Sequence, residues 1–251
     1  MAKTNSSRVK KFSAFDLKIG VFGAGGRMGQ EVLAVIQDFF GESCYVAVHH
    51  VKNKNQKKLA AKNIVSDLKN PLCKNVQVWI DFSSPHGFQE IYQFCQKHKM
   101  ALVSGTTGLS ELQLKKIASP SIPLLWSPNM SLGINILLKA LQSLKGSSGF
   151  DFQIEEFHHR YKKDKPSGTA LLLQKELESI VEKKIDKPVS VRGGGIFGIH
   201  KVWAMAEAET LTFEHQALNR QVFARGAAQA AVWLSQQKPG LYSLQNLLGQ
   251  G

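Results

Sequence analysis

One short segment, residues 155–170, combines side chains that transfer protons with groups that bind anions. His158 and His159 change protonation near neutral pH, and Lys162 adds an ammonium donor. A solvated loop beside a structural histidine pair is the alternative interpretation. Acid, base and anion-binding chemistry within one short span favours a functional site.

A helix is predicted to begin in the same segment, at Ser167. Pro166 disfavours helical structure in the residue before it, and the apolar run 170–173 follows. The backbone N–H groups of Ser167, Gly168 and Thr169 have no acceptor within their own helix, so they can receive a carboxylate or a phosphate. The sequence therefore predicts an anion site beside proton donors.

A glycine-rich turn near the start of the chain predicts a nucleotide site. A β-type run at 17–22 leads into Gly-Ala-Gly-Gly-Arg-Met-Gly at 23–29, followed by a helical pattern at 32–36 and a second strand at 44–48. Glycines in such a turn let the backbone approach a pyrophosphate, which the helix N-terminus attracts, and Arg27 can reach phosphate. A purely structural turn is the alternative, but the order strand, turn, helix, strand favours dinucleotide binding.

The residues after the second strand bear on the choice of cofactor. A site that prefers NAD usually has a carboxylate there to bind the ribose hydroxyls. Residues 49–54 contain no carboxylate but include Lys52 and Lys54, so we expect NADPH to be preferred, with NADH as the alternative. A solvated loop that contacts no cofactor accounts for these residues almost as well.

Three further strand patterns end in polar loops. They are predicted at 76–82, 101–104 and 123–127. Repeated units of this kind predict a parallel sheet whose carboxyl ends surround a ligand. Simple turn chemistry is the alternative interpretation of the loops at 105–107 and 127–130.

The second half of the chain predicts a different sheet. Alternation in 150–157 is typical of a half-buried strand, which delivers His158 and His159 at its end, pointing to opposite sides. Helices are predicted at 134–144 and 171–184, strands at 189–191, 199–205 and 210–215, and a last helix, 224–235, that returns to the first sheet. The expected fold class is α/β, with a Rossmann-type parallel sheet domain and an α+β domain with a mixed or antiparallel sheet.

The composition argues against several classes of protein. No apolar run approaches the roughly 20 residues of a transmembrane helix, and residues 1–18 lack the apolar core of a secretion signal. Cys44, Cys73 and Cys95 are scattered, which predicts neither a disulfide framework nor a metal site. The net charge of +13 suits anionic ligands or nucleic acid, but no nucleic-acid-binding motif is present. We expect a cytoplasmic protein with no membrane or nucleic-acid partner.

Over residues 17–248 the chain resembles the 4-hydroxy-tetrahydrodipicolinate reductase family, also called dihydrodipicolinate reductases. The most specific shared motif runs from Glu156-Phe157-His158-His159 through Lys162 and Asp164 to Pro166-Ser167-Gly168-Thr169. Further matches, in chain order, are Gly23 to Gly29, Asp81-Phe82-Ser83, Gly105-Thr106-Thr107, Asn129-Met130-Ser131, Phe223 to Ala227, Trp233-Leu234 and Gly240-Leu241-Tyr242.

The resemblance implies an NAD(P)H-dependent reduction of a cyclic imine-type dicarboxylate in lysine and diaminopimelate biosynthesis. It implies that His158 is the proton donor and that His159, Lys162, Gly168 and Thr169 contact the substrate. The chemistry of the residues themselves adds Lys162 as a second proton donor and Ser167 as part of the anion site at the helix start. The cofactor would be held by Gly23, Ala24, Gly25, Gly26, Arg27, Met28, Gly105, Thr106, Thr107, Ser127, Pro128, Asn129 and Met130.

The resemblance also implies a homotetramer, a Rossmann-type cofactor domain and an α+β domain for substrate and tetramer contacts. With the sequence patterns above, this divides the chain into four segments. We expect a flexible basic extension at 1–16, a dinucleotide-binding domain at 17–130, a substrate-binding and oligomerisation domain at 131–222, and a C-terminal segment at 223–251 that returns to the dinucleotide-binding domain. Residues 1–16 have no counterpart in the resemblance, and their basic composition suggests general solvation.

Two other functions stay open on the sequence. A semialdehyde or homoserine dehydrogenase would need a catalytic cysteine or another lysine and carboxylate constellation, which the three cysteines do not offer. An NADP-binding sensor or a nucleic-acid-binding module would need no site built of histidine, lysine, serine, glycine and threonine. A DNA affinity that falls steeply with salt would support the latter.

Overall fold

Two β-sheets organise the part of the chain that this computed structural model describes, residues 17–40, 44–48, 59 and 61–249. The expectations for residues 1–16 and for the NADPH-favouring residues 49–54 lie outside the described residues. In the described part, no helix combines the length and the hydropathy needed to cross a bilayer.

The first sheet has seven parallel strands in the order β11-β6-β5-β4-β1-β2-β3. Its central strands are short apolar runs that are buried at every position, which is typical of a parallel sheet covered on both faces. The strands are β1 (Ile19–Phe22), β2 (Cys44–Val48), β3 (Ala61–Val65), β4 (Val78–Asp81), β5 (Ala101–Ser104), β6 (Pro123–Trp126) and β11 (Gly240–Tyr242).

Helices cover both faces of this sheet. On one face α1 (Arg27–Phe40) packs beside α6 (Gln221–Leu234), and α7 (Leu244–Leu247) packs against α6 on the same face. The other face packs against α2 (Pro85–His98) and α3 (Glu111–Lys116). The last long helix of the chain therefore lies on the sheet formed by the first part of the chain.

The second sheet has four strands in the order β10-β9-β7-β8. Only β7 and β8 run parallel, so the sheet is mixed. The predicted class, a Rossmann-type parallel sheet combined with a second sheet of mixed or antiparallel strands, is confirmed. The strands are β7 (Asp151–His158), β8 (Val189–Arg192), β9 (Gly198–Met205) and β10 (Thr210–Ala217).

One face of the second sheet is covered and the other is open. Two helices, α4 (Leu132–Leu141, continued by a 3₁₀ turn at Gln142–Leu144) and α5 (Gly168–Val181), bury the face that carries Ile154 and Val202. The side chains that alternate with these residues, such as Val189 and Trp203, retain intermediate or high exposure. The strand period of two thus separates a core face from a solvent face.

Candidate active site

Alternation along β7 places Glu156 and His158 on the covered face of the second sheet, and both side chains are buried. The strand register puts His200 of β9 opposite Glu156, and His215 of β10 opposite His200. His159 follows the end of β7 and is partly exposed. Three neighbouring strands therefore gather one carboxylate and three imidazoles beneath the C-terminal end of β7.

Glu156 is the centre of this group. Its Oε2 is hydrogen-bonded to Nδ1 of His158, and its Oε1 accepts bonds from Nη2 of Arg192 at 2.6 Å and from the backbone N–H of Ser167 at 3.3 Å. Burial would raise the pKa of this carboxyl, but the bonds from Arg192 and His158 lower it below its usual value. Glu156 is therefore an ionised, fully buried hydrogen-bond acceptor.

His158 experiences opposing influences. Burial lowers its pKa below the ordinary value, the Glu156 carboxylate raises it, and the cations of Lys162 and Arg192 lower it again. The ring of His200 packs edge-on against it with the centroids 5.1 Å apart. The imidazole is thus predominantly neutral near neutral pH, but a carboxylate is in place to stabilise its protonated form.

His200 stays uncharged throughout the physiological range. Burial, followed by the neighbouring His158 and His215, lowers its pKa to about 3. Its Nε2 lies 3.3 Å from Oγ of Ser167, and Nε2 of His215 lies 3.2 Å from Oγ of Ser131. Each neutral imidazole therefore contacts the hydroxyl of a serine that precedes a helix.

Glu156, His158 and His200 offer ligand atoms that all lie within 4.8 Å of one another, which is close enough to hold a metal ion. Both oxygens of Glu156 are already engaged, however, by His158, Arg192 and the Ser167 amide. We therefore interpret the group as a hydrogen-bond network, in which the Arg192 guanidinium supplies the positive charge.

The start of α5 is built as predicted, with one difference in its donors. Ser167 is the N-cap residue, and its hydroxyl accepts the N–H of Ala170 at 3.2 Å. Its own N–H is bonded to Glu156, so neither polar group of Ser167 is free for a ligand. The N–H groups of Gly168 and Thr169, in the first turn, have no acceptor in the helix, and a Cβ at Gly168 would meet nothing within 4 Å.

Lys162 lies between the end of β7 and α5, where its Nζ pairs with Asp164 at 2.9 Å. Its side chain is partly buried, whereas the neighbouring Lys163 and Lys165 are exposed. Burial would raise the pKa of Asp164, but the bond from Lys162 lowers it, so the pair is ionised. Of the three lysines, Lys162 is the one whose charge lowers the pKa of His158.

The glycine-rich turn follows β1 and leads directly into α1. Gly23 has a φ of +77°, which glycine adopts without strain, and a Cβ on Gly29 would lie 2.3 Å from the Gly23 carbonyl oxygen. Ala24 is buried, while Gly26 and Arg27 are exposed at the helix start. This geometry suits a dinucleotide phosphate, because the turn is tight and the helix N-terminus is accessible.

The loop after β5 is held by a buried carboxylate. Asp81, at the end of β4, accepts bonds from Oγ of Ser104 at 2.7 Å and from Oγ1 of Thr106 at 2.8 Å. Gly105 lies against the Phe82 ring, where a Cβ would come within 2.2 Å of a ring carbon, and Thr107 is exposed. The N–H groups of Gly105 and Thr106 and the Thr106 carbonyl are bonded within the protein, so the exposed Thr107 is the residue of this loop that is most open to a ligand.

The loop after β6 reaches across to the second sheet. Nδ2 of Asn129 donates to Oγ1 of Thr169 at 2.8 Å, while Oδ1 of Asn129 accepts the N–H of Ser131. Pro128 is exposed, and Met130 is buried in the core, so only its backbone can contact a ligand. The side-chain bond joins a loop of the first sheet to the start of α5.

The sequence indicated the histidine pair, Lys162, the helix start and the three loops, but it assigned no role to Glu156, Asp81, Arg192, His200 or His215. Glu156 stands inside the motif, two residues before His158, and strand alternation alone would have paired them. Arg192 and His200, the neighbours of this pair on β8 and β9, come from distant strands, and only the sheet register reveals them.

Two family models match almost the whole chain between them. The one described as dihydrodipicolinate reductase, N-terminus, matches residues 17–130, and the one described as dihydrodipicolinate reductase, C-terminus, matches 133–248. A curated relative from Bdellovibrio bacteriovorus, named 4-hydroxy-tetrahydrodipicolinate reductase, is 47% identical over 235 residues, covering 92% of this chain and 96% of the relative. A relative of the same name from Rickettsia bellii is 37% identical over 248 residues, covering 91% and 93%.

Solved structures share the fold. A dipicolinate-bound dihydrodipicolinate reductase from Paenisporosarcina sp. TG-14 superposes with a TM-score of 0.76 at 20% identity, covering 92% of this chain and 99% of that one. Aspartate semialdehyde dehydrogenase II from Vibrio cholerae gives a TM-score of 0.56 at 12% identity, covering 86% and 97%. At these identities the superpositions establish the fold alone.

Proposed function

We propose that this chain, which belongs to the dihydrodipicolinate reductase family, reduces 4-hydroxy-tetrahydrodipicolinate to tetrahydrodipicolinate, with His158 and Lys162 supplying protons. The chain is an NAD(P)H-dependent oxidoreductase. The name of its relatives implies a step of lysine biosynthesis. The roles of individual residues below are the finer part of the proposal.

Bound NADPH or NADH supplies the hydride. The turn of residues 23–28 would bind the pyrophosphate, because Gly26 and Arg27 are exposed where α1 begins. The loops of residues 105–107 and 127–130 would hold the cofactor further along the carboxyl edge of the sheet. Ala24 and Met130 would contribute backbone atoms only, since their side chains are buried.

The substrate is a dicarboxylate, and the start of α5 offers it an anion site. The N–H groups of Gly168 and Thr169 would bind one carboxylate, aided by the positive end of the helix dipole. Lys162 and His159 lie on the loop before the helix and would contact the same molecule. Ser167 would contribute indirectly, since its hydroxyl caps α5 and its N–H binds Glu156.

The reduction needs an acid. Hydride arriving at a conjugated ring carbon, with loss of the hydroxyl, builds negative charge that a positioned donor must neutralise. His158, bonded through Nδ1 to Glu156, can present a proton at Nε2, and the ammonium of Lys162 is the second donor. The Lys162 charge would also stabilise the anionic substrate.

The observation that carries this proposal is the 2.8 Å bond between Asn129 and Thr169. It ties a loop at the carboxyl edge of the Rossmann-type sheet to the helix start that would bind the substrate. A cofactor on that edge and a carboxylate on Gly168 and Thr169 would therefore be neighbours, which provides the proximity that hydride transfer needs.

The reaction is tested by following the oxidation of NADPH and NADH while dihydrodipicolinate synthase makes the substrate in situ from pyruvate and aspartate semialdehyde. We expect oxidation that depends on the synthase. If folded protein oxidises neither cofactor in the complete system, the assignment of activity is wrong.

We propose a preference for NADPH, supported by the absence of a carboxylate in 49–54 and by Lys52 and Lys54. The ratio of kcat/KM for the two cofactors decides it. We expect a higher value for NADPH, and comparable values would contradict the preference. A cytoplasmic location belongs to the same proposal and is consistent with a biosynthetic reductase.

We also propose a homotetramer that assembles through the open face of the second sheet. Val189 and Val191 are 48% and 39% exposed there, and Trp203 is only partly covered. Exposed apolar groups on one sheet face are typical of an interface. Light scattering should give four times the chain mass, and Val189→Asp should reduce it, whereas Leu112→Asp on α3 should not. A monomeric wild type would contradict the proposal.

The competing functions have less support. A dehydrogenase of the semialdehyde type needs a reactive thiolate, but burial raises the pKa of Cys73 to about 11 and that of Cys95 well above its usual range. A cofactor-binding sensor or a nucleic-acid-binding module would not need the buried group around His158. Oxidation of the cofactor that depends on the substrate separates the reductase from both.

A further inference from the structure

Glu156 makes contacts that a purely structural carboxylate would not need. It lies two residues before His158 on β7 and is fully buried. One oxygen binds Nδ1 of His158, and the other binds both Arg192 and the amide of Ser167. The same carboxylate thus contacts the proton donor and the first residue before the helix that would bind the substrate.

We infer that Glu156 is a positioning residue of the reduction, which orients His158 for proton donation and, through Ser167, sets the position of the α5 N-terminus. The inference rests on the proposed function, because it assumes that His158 donates the proton and that α5 binds a carboxylate. Because its side chain is fully buried, Glu156 itself would touch neither substrate nor cofactor.

The orientation follows from the chemistry of imidazole. When Nδ1 carries the proton that is shared with Glu156, Nε2 is left to exchange the second proton with the substrate. A Cβ on Gly198 would lie 3.0 Å from Nε2 of His158, so a glycine keeps this edge of the ring uncrowded. A ring that rotated away from Glu156 would lose its acceptor and present the wrong nitrogen.

The charges around His158 explain why the carboxylate matters. Lys162 and Arg192 both disfavour its protonated form, and the His200 ring packed against it is uncharged. Glu156 is the partner that favours the protonated form. Without the negative charge, His158 would face two cations in a largely buried site and would lose its proton at a lower pH.

Arg192 keeps this arrangement intact. Its Nη2 is 2.6 Å from Glu156 and 2.5 Å from the carbonyl oxygen of Asp164, and its Nη1 donates to the Val191 carbonyl at 2.8 Å. A buried carboxylate is costly unless it is paired, so Arg192 allows Glu156 to remain ionised beside His158. The pair also connects β7 to the loop that carries Lys162.

The inference is tested by the pH dependence of kcat in Glu156→Gln. The substitution keeps the size of the side chain and removes its charge. We expect kcat to fall roughly tenfold to a hundredfold at and above neutral pH, with the loss becoming smaller as the pH is lowered and the protonated form of His158 recovers. The limb in which activity falls with rising pH should therefore move to lower pH.

Two further variants make the test specific. Glu155→Gln makes the same change one residue earlier, on the open face, where the side chain accepts a bond from Trp203; its pH profile should match that of the wild type. Glu156→Asp retains the charge with a shorter reach, so its kcat should fall equally at every pH while the limb stays in place. If Glu156→Gln does not fold, the kcat and the pH profile of Glu156→Asp test the inference instead.

The possible outcomes separate the inference from the proposed function. If His158→Gln is inactive but Glu156→Gln shows a wild-type pH profile, or a loss that is equal at all pH values, the charge of Glu156 does not favour the protonated donor and the inference fails. If His158→Gln turns over normally, the proposed donor itself is wrong. Histidine NMR of the unliganded protein gives an independent reading, because the His158 signal should titrate at lower pH in Glu156→Gln than in the wild type.

Discussion

The backbone of Gly226 in α6 packs directly onto the carbonyl of Met130, so that a Cβ at residue 226 would lie 1.8 Å from the Met130 oxygen. No rotamer change relieves this contact, because the opposing atom belongs to the backbone. The last long helix thus contacts the loop that follows β6, which also carries Asn129. The position of that loop depends on the absence of a side chain at residue 226.

Replacement of Gly226 by alanine should destabilise the protein. The helix must move away from Met130, and we expect the free energy of unfolding to fall by roughly 2 kcal/mol or more, as in other overpacked cores. Urea denaturation checks the effect. The control is Gly149→Ala, because a Cβ there meets nothing within 4 Å. A Gly226→Ala protein as stable as that control would show that α6 does not rest on this carbonyl.

Substitutions should distinguish the two proposed proton donors from the neighbouring lysine by their effect on kcat. His158→Gln and Lys162→Ala should each lower kcat by about two orders of magnitude or more, since each removes a proton donor from a site that must neutralise developing charge. Lys162→Ala should also raise KM for the dicarboxylate. Lys163→Ala, an exposed lysine on the same loop, serves as the control and should change neither constant. Turnover near the wild-type value in either donor variant would refute the assignment.

The bond between Asn129 and Thr169 should couple the two halves of the site energetically. A double-mutant cycle with Asn129→Ala and Thr169→Val, read out as kcat/KM, isolates their interaction from the separate role of Thr169. We expect a coupling free energy of about 1 kcal/mol, the usual value for a side-chain hydrogen bond. Effects that simply add would mean that the bond does not contribute to turnover.

The buried strands could be predicted from the sequence because burial on both faces leaves a run of apolar residues. Such runs marked β1, β4 and β5, and the last of these has the predicted bounds. The edge strands β3 and β11 and the short helix α3 gave no such signal. β3 has one buried position among five residues, β11 has three residues, and α3 has no buried residue at all, so no hydrophobic period distinguishes them from loops.

The candidate site likewise contains residues that a local sequence pattern reveals and residues that only the fold brings together. His158, Lys162 and the start of α5 are close in sequence, so their chemistry could be interpreted together. Arg192 reaches Glu156 from 36 residues further along the chain, and His200 reaches Ser167 from 33 residues further, through pairings that no local pattern encodes. The sequence also left Ser167 available to a ligand, whereas the folded chain uses both its hydroxyl and its amide internally.

The neutral imidazole of His200 predicts a loss of stability in acid. Its pKa in the folded protein, about 3, is below the ordinary value of 6.5, so between these pH values the unfolded chain binds a proton that the folded chain does not. Stability therefore falls as the pH is lowered through this window. The full contribution is at most about 5 kcal/mol.

Urea denaturation at a series of pH values, for the wild type and His200→Gln, measures this contribution. The glutamine variant loses the titrating group, so its stability should decline less steeply below about pH 6.5 than that of the wild type, even if it is less stable at neutral pH. His86→Gln, at an exposed residue of α2, should keep the wild-type slope. Parallel slopes for the wild type and His200→Gln would mean that His200 takes up a proton in the folded protein as it does in the unfolded chain. Ser167 would then face a cation in acid, and a cation can only donate to its hydroxyl.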